Sequence, residues 1–168
     1  MSSNVVFRSA VLGAASGLRS MAAPSQTSLY LVKCAERGVE VPGAGVARML
    51  GTRHVRSALA VVAGGEMVFD KLPVLPDRTD PTPLIGRMVM GALSGAAVAE
   101  LAGDSRVVAG LVGALGALVG AHVGFRVRRA LTHEAGLPDI AVALCEDAVA
   151  IGLARGALRP PHVRESGA

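Results

Sequence analysis

Long apolar runs separated by short polar segments make up most of the chain. They predict helices at 4–23, 26–35, 55–69, 84–102, 105–128 and 138–157. The clearest stretch, residues 107–125, contains a single ionisable side chain, His122. At about 1.5 Å per residue it is long enough to cross the hydrocarbon core of a bilayer. The run at 26–35 is short and lies between Pro24 and Pro42. The pattern predicts about six transmembrane or re-entrant helices.

Composition favours a membrane bundle over a soluble core. The apolar fraction is 51%, the mean hydropathy is +0.49, Trp is absent, and Gly occurs 21 times. Soluble domains usually fill their core with aromatic side chains, and each Gly in a soluble helix costs about 1 kcal/mol relative to Ala. Small residues instead let membrane helices approach closely. We therefore expect an all-α integral membrane helix bundle, one domain over 1–160 with a polar tail at 161–168. A soluble all-α bundle is the alternative.

Glycine is spaced for contacts between helices. Four glycines recur at steps of three and four, which places them on one face of the fifth helix. They are Gly113, Gly116, Gly120 and Gly124. The segments GAASG (13–17), GALSG (91–95) and GLARG (152–156) each carry small residues four apart. Such spacing is typical of close crossings between transmembrane helices.

An internal repeat is visible. VLGAASG (11–17) and VMGALSG (89–95) agree at five of seven positions with an offset of 78. LAVVAGGE (59–66) also resembles IAVALCE (140–146), with both segments ending in Glu. The chain then divides into halves at about residue 80 with three helices each, and an odd number of spans inverts the second half. The alternative is chance similarity between segments rich in Ala and Gly.

Charged side chains inside apolar segments mark a candidate site. Glu146 and Asp147 lie near the middle of the last helix, where two ionised carboxylates would oppose membrane insertion by about 5 to 7 kcal/mol. They need protein, water or a cation beside them. Arg19 and Arg87 are the candidate cations, because Arg keeps its charge when buried and can bind a carboxylate through a fork.

Further polar residues close the third helix. Glu66 and Asp70 are four residues apart and share a helix face, Lys71 turns away, and Pro73 stops the helix. In an inverted repeat, Glu66 would lie near Glu146. The binding or coupling candidates are Arg19, Glu66, Asp70, Lys71, Arg87, Glu146 and Asp147, and the structural candidates are Pro24, Pro73 and the four glycines.

Several classes of function are disfavoured. Cys34 and Cys145 have neither CxxC nor paired Cys/His spacing, so we expect no metal site, and no segment indicates a cofactor. The net charge is +4, but the basic segments RVRRA (126–130) and RHVR (53–56) contain no aromatic residue that could stack on bases. They resemble headgroup anchors, and nucleic acid is not an expected partner. An enzyme is the least favoured reading, because no nucleophile motif or phosphate loop accompanies the carboxylates.

Three motifs carry a family resemblance. GLRSMAAP (17–24), E-x-x-x-DKLP (66–73) and the ED pair at 146–147 resemble bacterial membrane proteins catalogued as domain of unknown function four-one-two-six. The resemblance covers about residues 8–157. It implies a small multi-pass protein of the bacterial plasma (inner) membrane without an established activity. The matching positions are Arg19, Glu66, Asp70, Lys71, Pro73, Glu146 and Asp147. The family favours Arg-Pro before the Gly-Ala-Leu of the fourth helix, whereas this chain has GRMVMGAL at 86–93, so the resemblance does not extend to Arg87.

Two functions follow as hypotheses. The first is a small transporter, flippase or channel whose polar centre combines Glu66, Glu146, Asp147 and Arg19, because carboxylates at membrane depth commonly mark ion or proton coupling. Pro24 beside the short second run favours a broken helix. The alternative is a non-catalytic accessory or scaffold subunit with internally paired charges. The expected partners are the lipid bilayer and a homo-oligomer or larger membrane complex. A polar cavity at the carboxylates would favour transport.

Overall fold

The computed structural model describes residues 2–42, 44–69 and 81–158, with the side chains of 66–69 and 81–82 outside that description. All of the regular structure in these ranges is helical, which confirms the all-α part of the predicted fold class. The helices are α1 (Ser3–Leu18), α2 (Ala22–Glu36), α3 (Val46–Leu50), α4 (Arg53–Phe69), α5 (Pro81–Leu101), α6 (Arg106–Arg129) and α7 (Asp139–Ala157). A π-helical turn, Ala130–Glu134, follows α6. The polar tail predicted at 161–168 lies outside the described residues.

The first predicted run, 4–23, is interrupted in the structure. α1 ends at Leu18, and Arg19 has an extended backbone with φ −143° and ψ 114°. The chain then turns, and α2 begins at Ala22. The predicted boundary beside Pro24 is wrong, because Pro24 lies in the first turn of α2, where its missing N–H removes no helical hydrogen bond. The short helix α3 was not predicted either.

Helices α1, α5 and α6 pack closely because glycines meet where they cross. A Cβ added to Gly91 would lie 2.7 Å from the carbonyl oxygen of Gly113 and 3.2 Å from the Cα of Gly13. A Cβ on Gly13 would in turn overlap the Gly113 carbonyl, and one on Gly113 the Gly91 carbonyl. Three backbones therefore touch at one point, and any side chain there would push the helices apart.

The remaining glycines of the α6 stripe face α1. A Cβ on Gly120 would lie 2.9 Å from the Cα of Ala14, and one on Gly124 would lie 2.6 Å from Cδ2 of Leu18. Gly116 meets the backbone of α1 in the same way. The GLARG segment behaves differently, since a Cβ at 152 or 156 would meet nothing within 4 Å in the described structure. The expectation that GLARG forms a close crossing is wrong.

α7 runs antiparallel to α1. Nε of Arg8 donates to the carbonyl of Ala157 at 2.7 Å near one end of the pair, and Arg19 contacts Asp147 near the other. α7 begins at Asp139, about 12 Å before Asp147 by helix rise. The turn that joins α1 to α2 therefore lies inside the bundle, well short of the end from which α7 starts.

Two helices are long and apolar enough to cross a membrane, Pro83–Leu101 and Arg106–Glu134. The outer face of the second helix is an exposed apolar stripe. It contains Val107, Leu111, Leu115, Val119 and Val123. A continuous exposed stripe of this kind indicates a surface that contacts lipid or another protein. These two helices favour membrane association.

The N-terminal end of α1 is tied to the loop between α5 and α6. The backbone N–H and the hydroxyl of Ser2 both donate to Oδ2 of Asp104 at 3.1 Å. These hydrogen bonds favour the ionised carboxylate and hold the pKa of Asp104 below its ordinary value.

Gly113→Ala should destabilise the bundle, because the new methyl group would overlap the carbonyl of Gly91. We expect the free energy of unfolding to fall by about 1 to 3 kcal/mol, the usual cost of overpacking. Gly110→Ala is the matched control one turn earlier, where a Cβ would lie 3.5 Å from the nearest heavy atom, the Ala92 carbonyl oxygen. Thermal unfolding in detergent, followed by circular dichroism, would measure both. Equal midpoints for the two variants would contradict the crossing.

The Asp104 contact should make stability depend on pH in the acid range. Because the pKa is lower in the folded state, the contact stabilises the fold above the unfolded pKa, and this contribution is lost as pH falls through the folded pKa. Asp104→Asn should therefore lower the thermal unfolding midpoint at neutral pH. The difference in midpoint from wild type should shrink as the pH falls. Thermal melts of both proteins across pH would test this, and a difference that stays constant with pH would contradict it.

Candidate functional site

The break between α1 and α2 leaves backbone carbonyls inside the bundle, and side chains satisfy them. Nη1 of Arg87 donates to the carbonyl of Gly17 at 2.8 Å. The hydroxyl of Ser16 lies 3.0 Å from the Ser20 carbonyl and 3.2 Å from the carbonyl of Arg87. The last carbonyls of a helix have no partner within it, and they form the negative end of its dipole. The buried guanidinium of Arg87 donates a hydrogen bond to one of these carbonyls, and its positive charge offsets the negative end of the dipole.

Arg19 and Asp147 form a buried ion pair beside the break. Arg19 is 3% exposed and Asp147 is 4% exposed. Nε of Arg19 donates to Oδ1 of Asp147 at 2.6 Å, and Nη2 contacts the same oxygen. Taking each ion out of water costs several kcal/mol, and a close pair with additional hydrogen bonds offsets that cost. The pair therefore holds α7 against the end of α1.

Glu146 belongs to a different cluster from Asp147. Its Oε2 lies 3.5 Å from Nη1 of Arg128, at the end of α6. Arg128 also forks onto Asp139, with Nε to Oδ1 at 2.8 Å and Nη2 to Oδ2 at 2.6 Å. Consecutive residues on a helix point about 100° apart, so neighbouring carboxylates meet different partners. The two carboxylates that the sequence joined into one centre are divided between two clusters.

Arg128 is a site residue that the sequence analysis missed. It lies in RVRRA (126–130), which the sequence analysis interpreted as a headgroup anchor. The available signal was the acidic Asp139 at the start of the next helix, opposite the basic end of α6. That signal does not extend to Glu146, which lies two turns further along α7 and reaches Arg128 only after the helices pack.

The structure brings Arg19, Arg87 and Asp147 together around the break. Pro24 is buried at the start of α2, one turn after it. Glu146 lies on α7 in the Arg128 cluster, and the other binding or coupling candidates fall on α4 or the segment after it. The backbone of residue 66 belongs to α4, but the side chain of Glu66 lies outside the described residues, as do Asp70, Lys71 and Pro73.

A cavity of about 350 Å³ reaches Arg19 from between α2, α4 and α7. Its polar lining residues in the described structure are Arg19, Ser25, Gln26 and Arg56. Arg56 lies near the start of α4, and Gly64, which also lines the cavity, is about 12 Å further along by helix rise. The cavity thus reaches the Arg19 side of the buried ion pair.

A second cavity of about 450 Å³ lies between α6 and α7, with Ala14 and Leu18 of α1 contributing to its lining. Its walls are apolar apart from Arg128, Glu146 and the thiol-bearing Cys145. No three His, Cys, Asp or Glu side chains converge as a metal site anywhere in the described ranges. The cavity that reaches Arg19 is the more polar of the two and is the candidate site.

Asp147→Ala should destabilise the protein strongly, because it leaves buried Arg19 without this carboxylate. We expect a loss of about 3 to 5 kcal/mol in the free energy of unfolding. Asp139→Ala is the control, since its side chain is 64% exposed and exposed ion pairs contribute about 0 to 1 kcal/mol. Denaturant unfolding in mixed micelles would compare the two. A loss of similar size for both variants would show that the Arg19 pair is not specially buried.

The chain matches the family model described as Domain of unknown function (DUF4126) over residues 6–164. No match was found among curated proteins or among solved structures. The matched range contains nearly all of α1, the break after it and all of the later helices. The chain therefore belongs to the DUF4126 family.

Proposed function

We propose that the protein is a multi-pass membrane transporter, flippase or channel, and that its solute passes through the polar centre at the α1–α2 break. The observation that carries the proposal is the cavity at Arg19, which reaches a buried ion pair beside interrupted helices. Irregular backbone at membrane depth is tolerated only where it is buried in protein or lines a water-filled cavity. Transporters commonly build solute sites from such broken helices.

The proposed topology has six membrane-embedded helices, with α3 outside the set. α1 and α2 are about 24 and 22 Å long by helix rise, shorter than the bilayer core of about 30 Å. Because they meet inside the bundle, we assign them to a re-entrant pair, while α4, α5, α6 and α7 cross the membrane. The proposal places the protein in the bacterial plasma membrane, alone or as a homo-oligomer.

An inverted repeat is part of the proposal, and contacts between α1 and α5 support it. They join Gly13 to Gly91, Gly17 to Arg87, and Ser9 to Gly95. Shifting each residue by the repeat offset of 78 exchanges Gly13 with Gly91. The same shift turns the pair of Gly17 and Arg87 into the pair of Gly95 and Ser9. This is the pattern of a two-fold axis passing between antiparallel helices at the glycine crossing.

The ion pair offers a way to change charge within the bundle at low cost. An anion that enters the cavity competes with Asp147 for Arg19, whereas a proton competes with Arg19 for Asp147. Only the two exchanges together leave no bare ion in a low-dielectric region, because the anion then pairs with Arg19 while the proton neutralises Asp147. Asp147 is therefore the proposed coupling group, and Arg19 is the proposed binding group.

The alternative is a non-catalytic accessory or scaffold subunit. It is favoured by the internal pairing of both charge clusters, Arg19 with Asp147 and Arg128 with Glu146 and Asp139. Such pairs can fix how helices pack without binding a ligand. This function predicts no solute flux and co-purification with a larger membrane complex.

Flux through reconstituted protein tests the proposal. Liposomes containing wild type, Asp147→Asn or Asp139→Asn would be assayed for movement of protons, K⁺ and inorganic phosphate. We expect wild type and Asp139→Asn to pass at least one probe faster than protein-free liposomes. Asp147→Asn keeps the shape of Asp but loses its charge, so we expect its flux to fall by about tenfold or more, equivalent to about 1.4 kcal/mol in the barrier.

Gel filtration of each variant supplies the control for folding. Asp147→Asn that elutes as wild type but passes no probe would support a transport site. Wild type that passes none of the three probes, together with loss of folded Asp147→Asn, would contradict transport and favour the scaffold.

A further inference from the structure

A third cavity, of about 510 Å³, lies between α2 and α7 towards the end of the bundle that is opposite the break. Its lining includes three basic side chains, Lys33, Arg37 and Arg155, together with Tyr30. Lys33 and Arg37 lie at the C-terminal end of α2, and Arg155 lies in the last turn of α7. This cavity is separate from the ion pair, and the proposed function does not use it.

This basic cavity adjoins the cavity at Arg19, because Gln26 and Leu29 line both. The lining positions recur every three or four residues along one face of each helix. They are 22, 25, 26, 29, 30, 33, 34 and 37 at α2, and 151, 155 and 158 at α7. The two adjoining cavities, together called the groove, extend for about 22 Å by helix rise.

Basic side chains line the groove along its length, and one of them, Arg19, is paired with Asp147. Lys33 and Arg37 lie at its outer end, Arg155 near its middle, and Arg56 and Arg19 along its inner part. No acidic side chain is among the lining residues that the structure describes. A cleft with one sign of charge and low-dielectric walls concentrates ions of the opposite sign. Guanidinium groups in addition match the geometry of phosphate and carboxylate oxygens.

Gln26 and Arg155 narrow the groove where the two cavities join. Nε of Arg155 donates to Oε1 of Gln26 at 3.1 Å. The amide oxygen is a neutral acceptor, so an anion forms a stronger hydrogen bond with Arg155 and displaces it. Binding of an anion at this point would open the way from the outer cavity to the inner one.

We propose that this groove binds a phosphate-type oxyanion, either free or as a lipid headgroup, and that it is the path by which that anion reaches Arg19. The binding site stands on the groove itself, whereas the path rests on the proposed function. The solute is then an anion. It enters from the end of the bundle where α2 and α7 terminate.

Binding by the full chain in detergent tests the site without transport. The probes are inorganic phosphate, followed by calorimetry, and short-chain phosphatidylglycerol, followed by native mass spectrometry. Arg155→Gln, and the double variant Lys33→Gln with Arg37→Gln, should each weaken binding by about tenfold or more, because each removes charged hydrogen-bond donors. Arg126→Gln is the control, since Arg126 is exposed and lines none of these cavities.

The two probes distinguish the two sources of the anion. Groove-dependent binding of phosphate assigns a free anion, and groove-dependent binding of phosphatidylglycerol alone assigns a lipid headgroup. The double variant lies at exposed positions, so it tests the groove even if Arg155→Gln fails to fold. Wild type that binds neither probe, or an Arg126→Gln variant as weak as the groove variants, would overturn the site.

Flux of the same variants separates this inference from the proposed function. Phosphate flux that falls in the groove variants supports both. Flux of K⁺ or protons by a protein that binds neither phosphate nor phosphatidylglycerol overturns the anion groove and leaves transport standing. Groove-dependent anion binding by a protein that passes none of the probes supports the site and overturns the path.

Discussion

The architecture depends on backbone contact at one glycine crossing. Gly13, Gly91 and Gly113 let α1, α5 and α6 touch without intervening side chains, and a Cβ on any of them would overlap a neighbour. Lipid tails are as apolar as the helix surfaces, so hydrophobic burial alone would not hold such helices together in a membrane. Close dispersion contact between backbones supplies the attraction instead. This contact fixes the position of α1 in the bundle, and therefore the depth at which the C-terminal end of α1 lies.

The end of α1 is the source of the chemistry. Its last carbonyls are held inside the bundle, where Arg87 donates to that of Gly17, and the Ser16 hydroxyl donates to the Ser20 carbonyl in the break. The same constraint places Arg19 against Asp147, and each charge is tolerated because the other is adjacent. A helix break, two buried guanidinium groups and a buried carboxylate are thus parts of one arrangement. A cavity reaches this arrangement at Arg19.

The charged residues are unequally distributed around this centre. Arg128 takes Glu146 and Asp139 into a separate cluster at the far end of α6, whereas a basic groove extends from Arg19 along α2. Glu146 and Asp139 are thereby kept away from the groove, so Asp147 compensates Arg19 alone and the other basic lining residues give the groove a positive potential. That separation, more than the number of charges, is what makes an anion the proposed solute.

The sequence by itself determined the all-helical class and the long helices after the break, α2 and α4 to α7, since apolar runs depend only on positions close in the chain. It also identified Arg19, Arg87 and Asp147 as buried charges, because an ionised group in an apolar run needs a partner. Tertiary structure alone decided which charges pair, as with Glu146 and Arg128, and that α1 ends at Leu18. Those outcomes depend on helix rotation and on contacts between residues more than a hundred positions apart, such as Arg19 with Asp147, which local pattern does not encode.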